Sequence, residues 1–172
     1  YGYFDDAKSV YLILQHINGG EVYKYVRRNT SEGRVEEWLC RTMMHDVMSA
    51  LAYMHARHVY HRDLKAENLL LCYQERDGEE TVRVVLGDFG WAVHAPPPCP
   101  TRYTMCGTPE YLSPEMLSGG GHEHHVDLWS CGVLMFELLT GTTPFVQGDE
   151  ENEAGADFSG DEENEGQNEQ AK

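Results

Sequence analysis

The sequence predicts an α+β fold, and three observations carry that expectation. Runs of β-branched and aromatic residues at Tyr1–Phe4, Val10–Leu14 and Val82–Leu86 read as strands, with Leu69–Leu71 as a short buried one. Between about Glu36 and His55, the residues Leu39, Met43, Val47, Leu51 and Met54 recur at helical spacing and form one apolar stripe. From Asp127 to Leu139 nearly every residue is apolar, as a helix buried on most sides requires. The 172 residues leave room for about one domain with a real core.

Taken in order, Asp5–Lys8 is the polar break between the first two strands. Gln15-His16-Ile17 then leads to Asn18-Gly19-Gly20, read as a flexible turn. Glu21 opens a short helix, an acid favoured there by the helix dipole, and Asn29–Gly33 ends it. In the long helix the methionines are core filler, and His45, His55 and His58 sit on its surface or at its end, without paired metal spacing. Val59-Tyr60 leads into the stretch His61–Leu71. Tyr73–Thr81 is charged and reads as a solvated hairpin loop before the strand Val82–Leu86. Pro96–Pro100 predicts a stiff, extended loop. The Gly- and His-rich stretch 119–125 is too flexible to preorganise a metal cage. Gly141 ends the last helix, and Pro144 forbids its resumption.

The chemistry is concentrated in His61-Arg62-Asp63-Leu64-Lys65-Ala66-Glu67-Asn68, which sets an acid, a cation and an amide at fixed spacing ahead of an apolar run. Phosphoryl transfer to a hydroxyl asks for these groups: a carboxylate to orient the hydroxyl, a cation for the moving charge, an oxygen ligand for Mg²⁺. Gly87-Asp88-Phe89-Gly90 adds a second acid in a Gly-flanked turn, and Ser113-Pro114-Glu115 follows. In this order the three segments resemble the catalytic loop, metal-binding segment and closing segment of a eukaryotic protein kinase. Asp88–Pro96, with Trp91 straight after the Asp-Phe-Gly, narrows the resemblance to the Aurora kinases, as do Tyr1-Gly2-Tyr3-Phe4 and Thr104–Thr108. The sequence departs from that pattern at Ala66, where Pro is usual, at Ala92 in place of Ser, and at Pro109-Glu110 in place of Leu-Asp.

The resemblance covers roughly 1–145 and implies a protein-kinase-like fold, mostly its helical C-lobe. Residues 1–14 would be the last strands of the N-lobe, 15–20 the hinge, and 21–145 part of the C-lobe. A Gly-rich loop, a strand lysine and its helical glutamate partner would precede Tyr1, and further helices would follow Phe145. The fold is therefore expected to be incomplete at both ends. ATP and Mg²⁺ are the implied cofactors. Leu14 would be the gatekeeper, Gln15, His16 and Ile17 would meet adenine, and Leu70 would floor it. Glu21 would lie near the ribose and a substrate arginine, and Glu67 near an arginine upstream of the target residue. Asp63 would orient the substrate hydroxyl, Lys65 would neutralise the moving phosphoryl charge, and Asn68 and Asp88 would hold Mg²⁺. Thr108 would lie between Asp63 and Lys65, and Asp127 would anchor the catalytic-loop backbone. Thr104 would be the activating phosphosite, gripped by Arg62, with Thr101 and Tyr103 as competing hydroxyls and Cys106 an ordinary loop thiol. Implied partners are protein substrates with basic residues near the target Ser or Thr, and Aurora-type activator proteins. The implied location is intracellular: nucleus or cytoplasm, on spindle or chromosomes.

Composition narrows the field further. The net charge of −16 is uneven, with ten acids against one base in 146–172, a stretch with little to bury that predicts disorder. Such acidity opposes nucleic-acid binding and suits a basic peptide. Five scattered cysteines without a CxxC pair suit a reducing compartment, and no run is long and apolar enough for a membrane span. Two other readings stay open: a truncated, non-catalytic form that binds regulators, and another basophilic kinase such as a calcium/calmodulin-regulated one. Trp91–Pro96 speaks against the latter.

Overall fold

The computed structural model describes residues 1–30, 32–76 and 78–145, and the acidic stretch expected to be disordered lies outside them. The two opening strands form as expected: β1 (Gly2–Asp5) and β2 (Val10–Ile13) pair antiparallel. Asp6 makes the turn between them, its carboxylate accepting the amides of Lys8 and Ser9 at 2.8 and 2.9 Å.

The stretch Asn18–Gly20 is a docked segment where flexibility was expected. The Gly19 amide donates to the Leu71 carbonyl at 2.8 Å, and the Leu71 amide donates to the Gly20 carbonyl at 2.8 Å. The Asn18 side chain exchanges two more bonds with the Tyr73 backbone. A Cβ on Gly19 would collide with the Leu71 carbonyl oxygen, so the glycine serves close approach of two backbones. This seam leads into α1 (Val22–Asn29), which buries Val22 and Val26 one turn apart.

The long helix α2 (Glu37–His55) buries Met43, Val47, Leu51 and Met54 of the expected stripe, plus Cys40 and Met44. Its partner α4 (His125–Thr140) contributes Cys131, Val133, Leu134 and Leu138 to the same core. Helix α4 is only half covered among the described residues: Leu128, Met135 and Phe136 are each more than 40% exposed. Its apolar sequence therefore overstates its burial here.

The charged stretch after Tyr73 is ladder and not loop. β4 (Leu69–Arg76) and β5 (Glu79–Leu86) pair in unbroken register from Leu69↔Leu86 to Arg76↔Glu79. Asp77-Gly78 is the sequence signal for such a two-residue hairpin, and Gly78 has φ +82°; Asp77 lies outside the described residues. Directly before the His61–Leu71 stretch, the short strand β3 (Val59–Tyr60) pairs with β6 (Val93–His94). The proline run turns instead of extending, the Cys99 amide donating to the Pro96 carbonyl at 3.3 Å. Ser113 caps the short helix α3 (Pro114–Leu117), its hydroxyl accepting the Met116 amide at 3.4 Å.

Gly141 closes α4 at φ +86°, its amide donating to the Glu137 carbonyl at 2.7 Å. A Cβ there would overlap the Glu32 carbonyl oxygen, so shape and backbone angle both demand glycine. Gly141→Ala is expected to destabilise the fold by about 1–3 kcal/mol, read as a lower thermal midpoint.

Candidate active site

The site begins with a buried carboxylate that bonds to backbone. Asp127, in the first turn of α4, is fully buried and accepts the His61 amide at 2.9 Å and the Arg62 amide at 2.7 Å. His55 Nε2 at the end of α2 lies 2.7 Å from the same carboxylate. Arg62 is thereby held at φ +67°, a left-handed conformation that a non-glycine residue adopts only when its surroundings fix it.

His61 joins this loop to the Gly87–Gly90 segment. Its ring is fully buried, with Nδ1 accepting the Asp63 amide at 3.3 Å and Nε2 3.0 Å from the Gly87 carbonyl. That pattern places the ring proton on Nε2, where it donates to Gly87. Phe89 meets the same ring edge-on at 5.2 Å. Asp88 is exposed at φ +52°, one carboxylate oxygen accepting the Gly90 amide at 3.0 Å.

The four candidate catalytic residues form one network. Lys65 Nζ donates to Thr108 Oγ1 at 2.9 Å, and the Thr108 hydroxyl donates to Asp63 Oδ1 at 2.8 Å. Asn68 Nδ2 donates to Asp63 Oδ2 at 3.0 Å and to the Asp63 carbonyl at 2.8 Å. Lys65 Nζ stands 3.6 Å from Asp63 Oδ2, completing a charge pair at the mouth of the site. Asp63 is 7% exposed, so its orientation is fixed by these partners more than by solvent. Gly107, at φ +103°, passes so close to the Arg62 carbonyl that a Cβ would lie 2.5 Å from its oxygen; this brings Thr108 to Asp63.

The remaining candidates lie on the approach to this network. Glu21 pairs through an isolated bridge with Leu70, which is half-buried, and its carboxylate binds Lys24 at 2.6 Å. Leu14, Gln15 and His16 are exposed on the connection from β2, Ile17 is half-buried, and Glu67 is exposed. Arg62 Nε donates to the Trp91 carbonyl at 2.9 Å. Arg102 holds the turn before it, donating to the carbonyls of His94, Cys99 and Thr101. Thr104 is exposed, whereas Cys106 is buried and its thiol is pushed up by burial, in keeping with an ordinary loop thiol. Among the described residues no group of three metal-binding side chains forms; the His124 and His125 rings lie 4.0 Å apart, tilted by 33°.

Sequence reasoning missed one polar pair beside the loop. The buried Tyr111 hydroxyl donates to the Glu137 carboxylate, and burial, then that bond, push the Tyr111 phenol up. Burial likewise raises the Glu137 carboxyl, with Glu67 among the charges acting on it. The two residues stand 26 positions apart, so no local motif announces them.

The chain matches the protein kinase domain family over residues 1–169 and belongs to that family. Within that family, the relatives it resembles are Aurora kinases. It is 47% identical over 154 residues to Aurora/IPL1-related protein kinase 2 of Caenorhabditis briggsae, covering 90% of this chain and 46% of that one. It is 47% identical over 145 residues to Aurora kinase B of Xenopus tropicalis, covering 84% of this chain and 37% of that one. Aurora kinase of Schizosaccharomyces pombe is 46% identical over 145 residues, covering 84% and 38%. The chain thus spans less than half the length of these relatives. No helix among the described residues is long and apolar enough to cross a membrane.

Proposed function

We propose that this chain carries the catalytic half of a site for ATP-dependent phosphoryl transfer to Ser and Thr hydroxyls of proteins. The observation that carries the reading is the continuous Lys65–Thr108–Asp63–Asn68 network. Each Asp63 oxygen accepts one bond from the protein and keeps a lone pair for a substrate hydroxyl, so Asp63 orients the nucleophile and takes its proton. Lys65 reaches past Thr108 to the space in front of Asp63, where it neutralises charge on the phosphoryl oxygens. Thr108 bridges the cation and the acid.

The donor set fits Mg²⁺. Asn68 spends its amide nitrogen on Asp63, which leaves its amide oxygen for a metal; Asp88 spends one oxygen on Gly90 and offers the other. Both are hard oxygen ligands of the kind Mg²⁺ takes alongside phosphates. Mg²⁺-ATP, when bound, supplies the phosphoryl group and the metal charge. Leu14, Gln15, His16 and Ile17 would line the adenine end, Leu70 would floor it, and Glu21 would face the ribose.

Phosphorylation of exposed Thr104 activates the site in this reading: Arg62, with Nε fixed on Trp91, offers its terminal nitrogens to the phosphate and orders the segment. Exposed Glu67 favours substrates with basic residues near the target. Aurora-type activator proteins, and an intracellular place on spindle or chromosomes, follow from the kinship alone.

Titrating the chain with Mg²⁺-ATP while following tryptophan fluorescence tests the reading, since Trp91 stands three residues after Asp88. Saturable, Mg²⁺-dependent binding is expected, and Asp88→Asn should weaken it by at least about tenfold. Absence of binding at millimolar ATP would overturn the proposed nucleotide half-site.

A further inference from the structure

Four rings gather where the end of α2, β3 and the start of α4 meet. From centre to centre, His124 lies 5.1 Å from His55, 6.0 Å from Tyr60 and 4.0 Å from His125. His55 and Tyr60 meet edge-on at 6.3 Å. One bond joins this cluster to the catalytic loop. His55 Nε2 lies 2.7 Å from Oδ2 of Asp127, the same atom that accepts the His61 amide. A carboxylate only accepts, so His55 carries its proton on Nε2 and donates.

The cluster is poorly suited to a positive charge on His124. This half-buried residue is the N-cap of α4 and His125 is the first helical position, where the positive end of the helix dipole disfavours a cation. Its ring faces two further imidazoles, His55 from α2 and His125 from its own turn, and a neutral phenol, Tyr60 from β3. Glu123 and Asp127 act the other way, but both are engaged. Glu123 accepts the Thr101 hydroxyl at 3.2 Å, and Asp127 has its three partners. Burial, then His125 and His55, hold the His124 imidazole below its ordinary value of 6.5. The unfolded chain therefore takes up this proton first as pH falls. Stability from the neutral ring is whole above about pH 6.5 and is lost progressively below it.

His124 and Asp127 share one turn of helix, the Asp127 amide donating to the His124 carbonyl at 3.1 Å. The His124 side chain makes no capping bond that would hold the turn in place. A cation at His124 is relieved by swinging into solvent, and that movement loosens the turn that carries Asp127.

We propose that the His124–His125 pair is a proton-responsive latch on the first turn of α4. Neutral, it packs against His55 and Tyr60 and keeps Asp127 against the catalytic loop; protonated, it withdraws and frees the His61 and Arg62 amides. The latch acts on backbone anchoring and is independent of phosphoryl transfer.

The test is amide hydrogen exchange on the 172-residue chain at pH 7.5 and at pH 5.5, corrected for the intrinsic pH dependence of exchange. The His61 and Arg62 amides should lose protection several-fold more than those of Val47 and Leu51 inside α2. His124→Gln should abolish this extra loss. His125→Gln, at an exposed position that the fold tolerates, should shrink it by removing a like charge. His122→Gln should leave it unchanged, although His122 is buried nearby and its imidazole is also held down by burial. The proposal is overturned if both sets of amides lose protection equally in the wild type, or if the extra loss is undiminished in His125→Gln. It is also overturned if His122→Gln abolishes the loss, which would assign the proton to that ring.

Discussion

Asp127→Ala is expected to cost about 3–5 kcal/mol of folding stability. Its carboxylate is fully buried and serves three partners: the His61 and Arg62 amides and the His55 ring. Truncation strands two buried amides and a ring nitrogen with no solvent to replace the acceptor. It also releases Arg62 from φ +67°, so the loop loses the conformation that aims Asp63. Asp127→Asn keeps one acceptor oxygen but faces the second amide with an NH₂ group. It should therefore fall between wild type and alanine in a urea titration. Equal stability of Asp127→Ala and wild type would show that the anchor carries nothing.

Asp63→Asn is expected to reduce phosphoryl transfer by about 10²–10⁴-fold, the range of positioned proton-transfer groups, with little loss of stability. The asparagine amide can still accept from Thr108 through its oxygen, so the frame of the site survives. It loses the negative charge and the proton affinity that a substrate hydroxyl needs, and its nitrogen faces the Asn68 amide donor. The loss should fall on kcat more than on KM for nucleotide, measured with a basic serine peptide in protein competent for the wild-type reaction. A fall in stability equal to that of Asp127→Ala would reassign Asp63 as structural.

Much of the site is legible in the sequence because its chemistry is local. Asp63, Lys65 and Asn68 fall within six residues, and a loop that short leaves their side chains little choice but to converge. Asp88 is marked by glycines on either side, one of which does supply the amide that pins it. The long helix shows its apolar period plainly. What stays hidden depends on pairs far apart in the chain. His55 reads as a helix-end residue, yet its partner lies 72 positions on, and Glu137 hides in an apolar helix until Tyr111 is placed against it. Gly19 looks like flexibility from the sequence, because only the facing strand reveals that a side chain has no room. The full length of β4 and β5 was readable, since Asp77-Gly78 marks the hairpin, but the density of charge around it argues for solvent.

The bond from the His61 ring to Gly87 gives the molecule a threshold. Moving the Asp88 segment out of place must leave a buried ring N–H unpaired, at a cost of about 1–3 kcal/mol, which lowers the share of the displaced arrangement about 5- to 150-fold. Because the other ring nitrogen holds the Asp63 amide, the segments that carry Asp63 and Asp88 are tied together through one ring. Any influence that steadies one steadies the other.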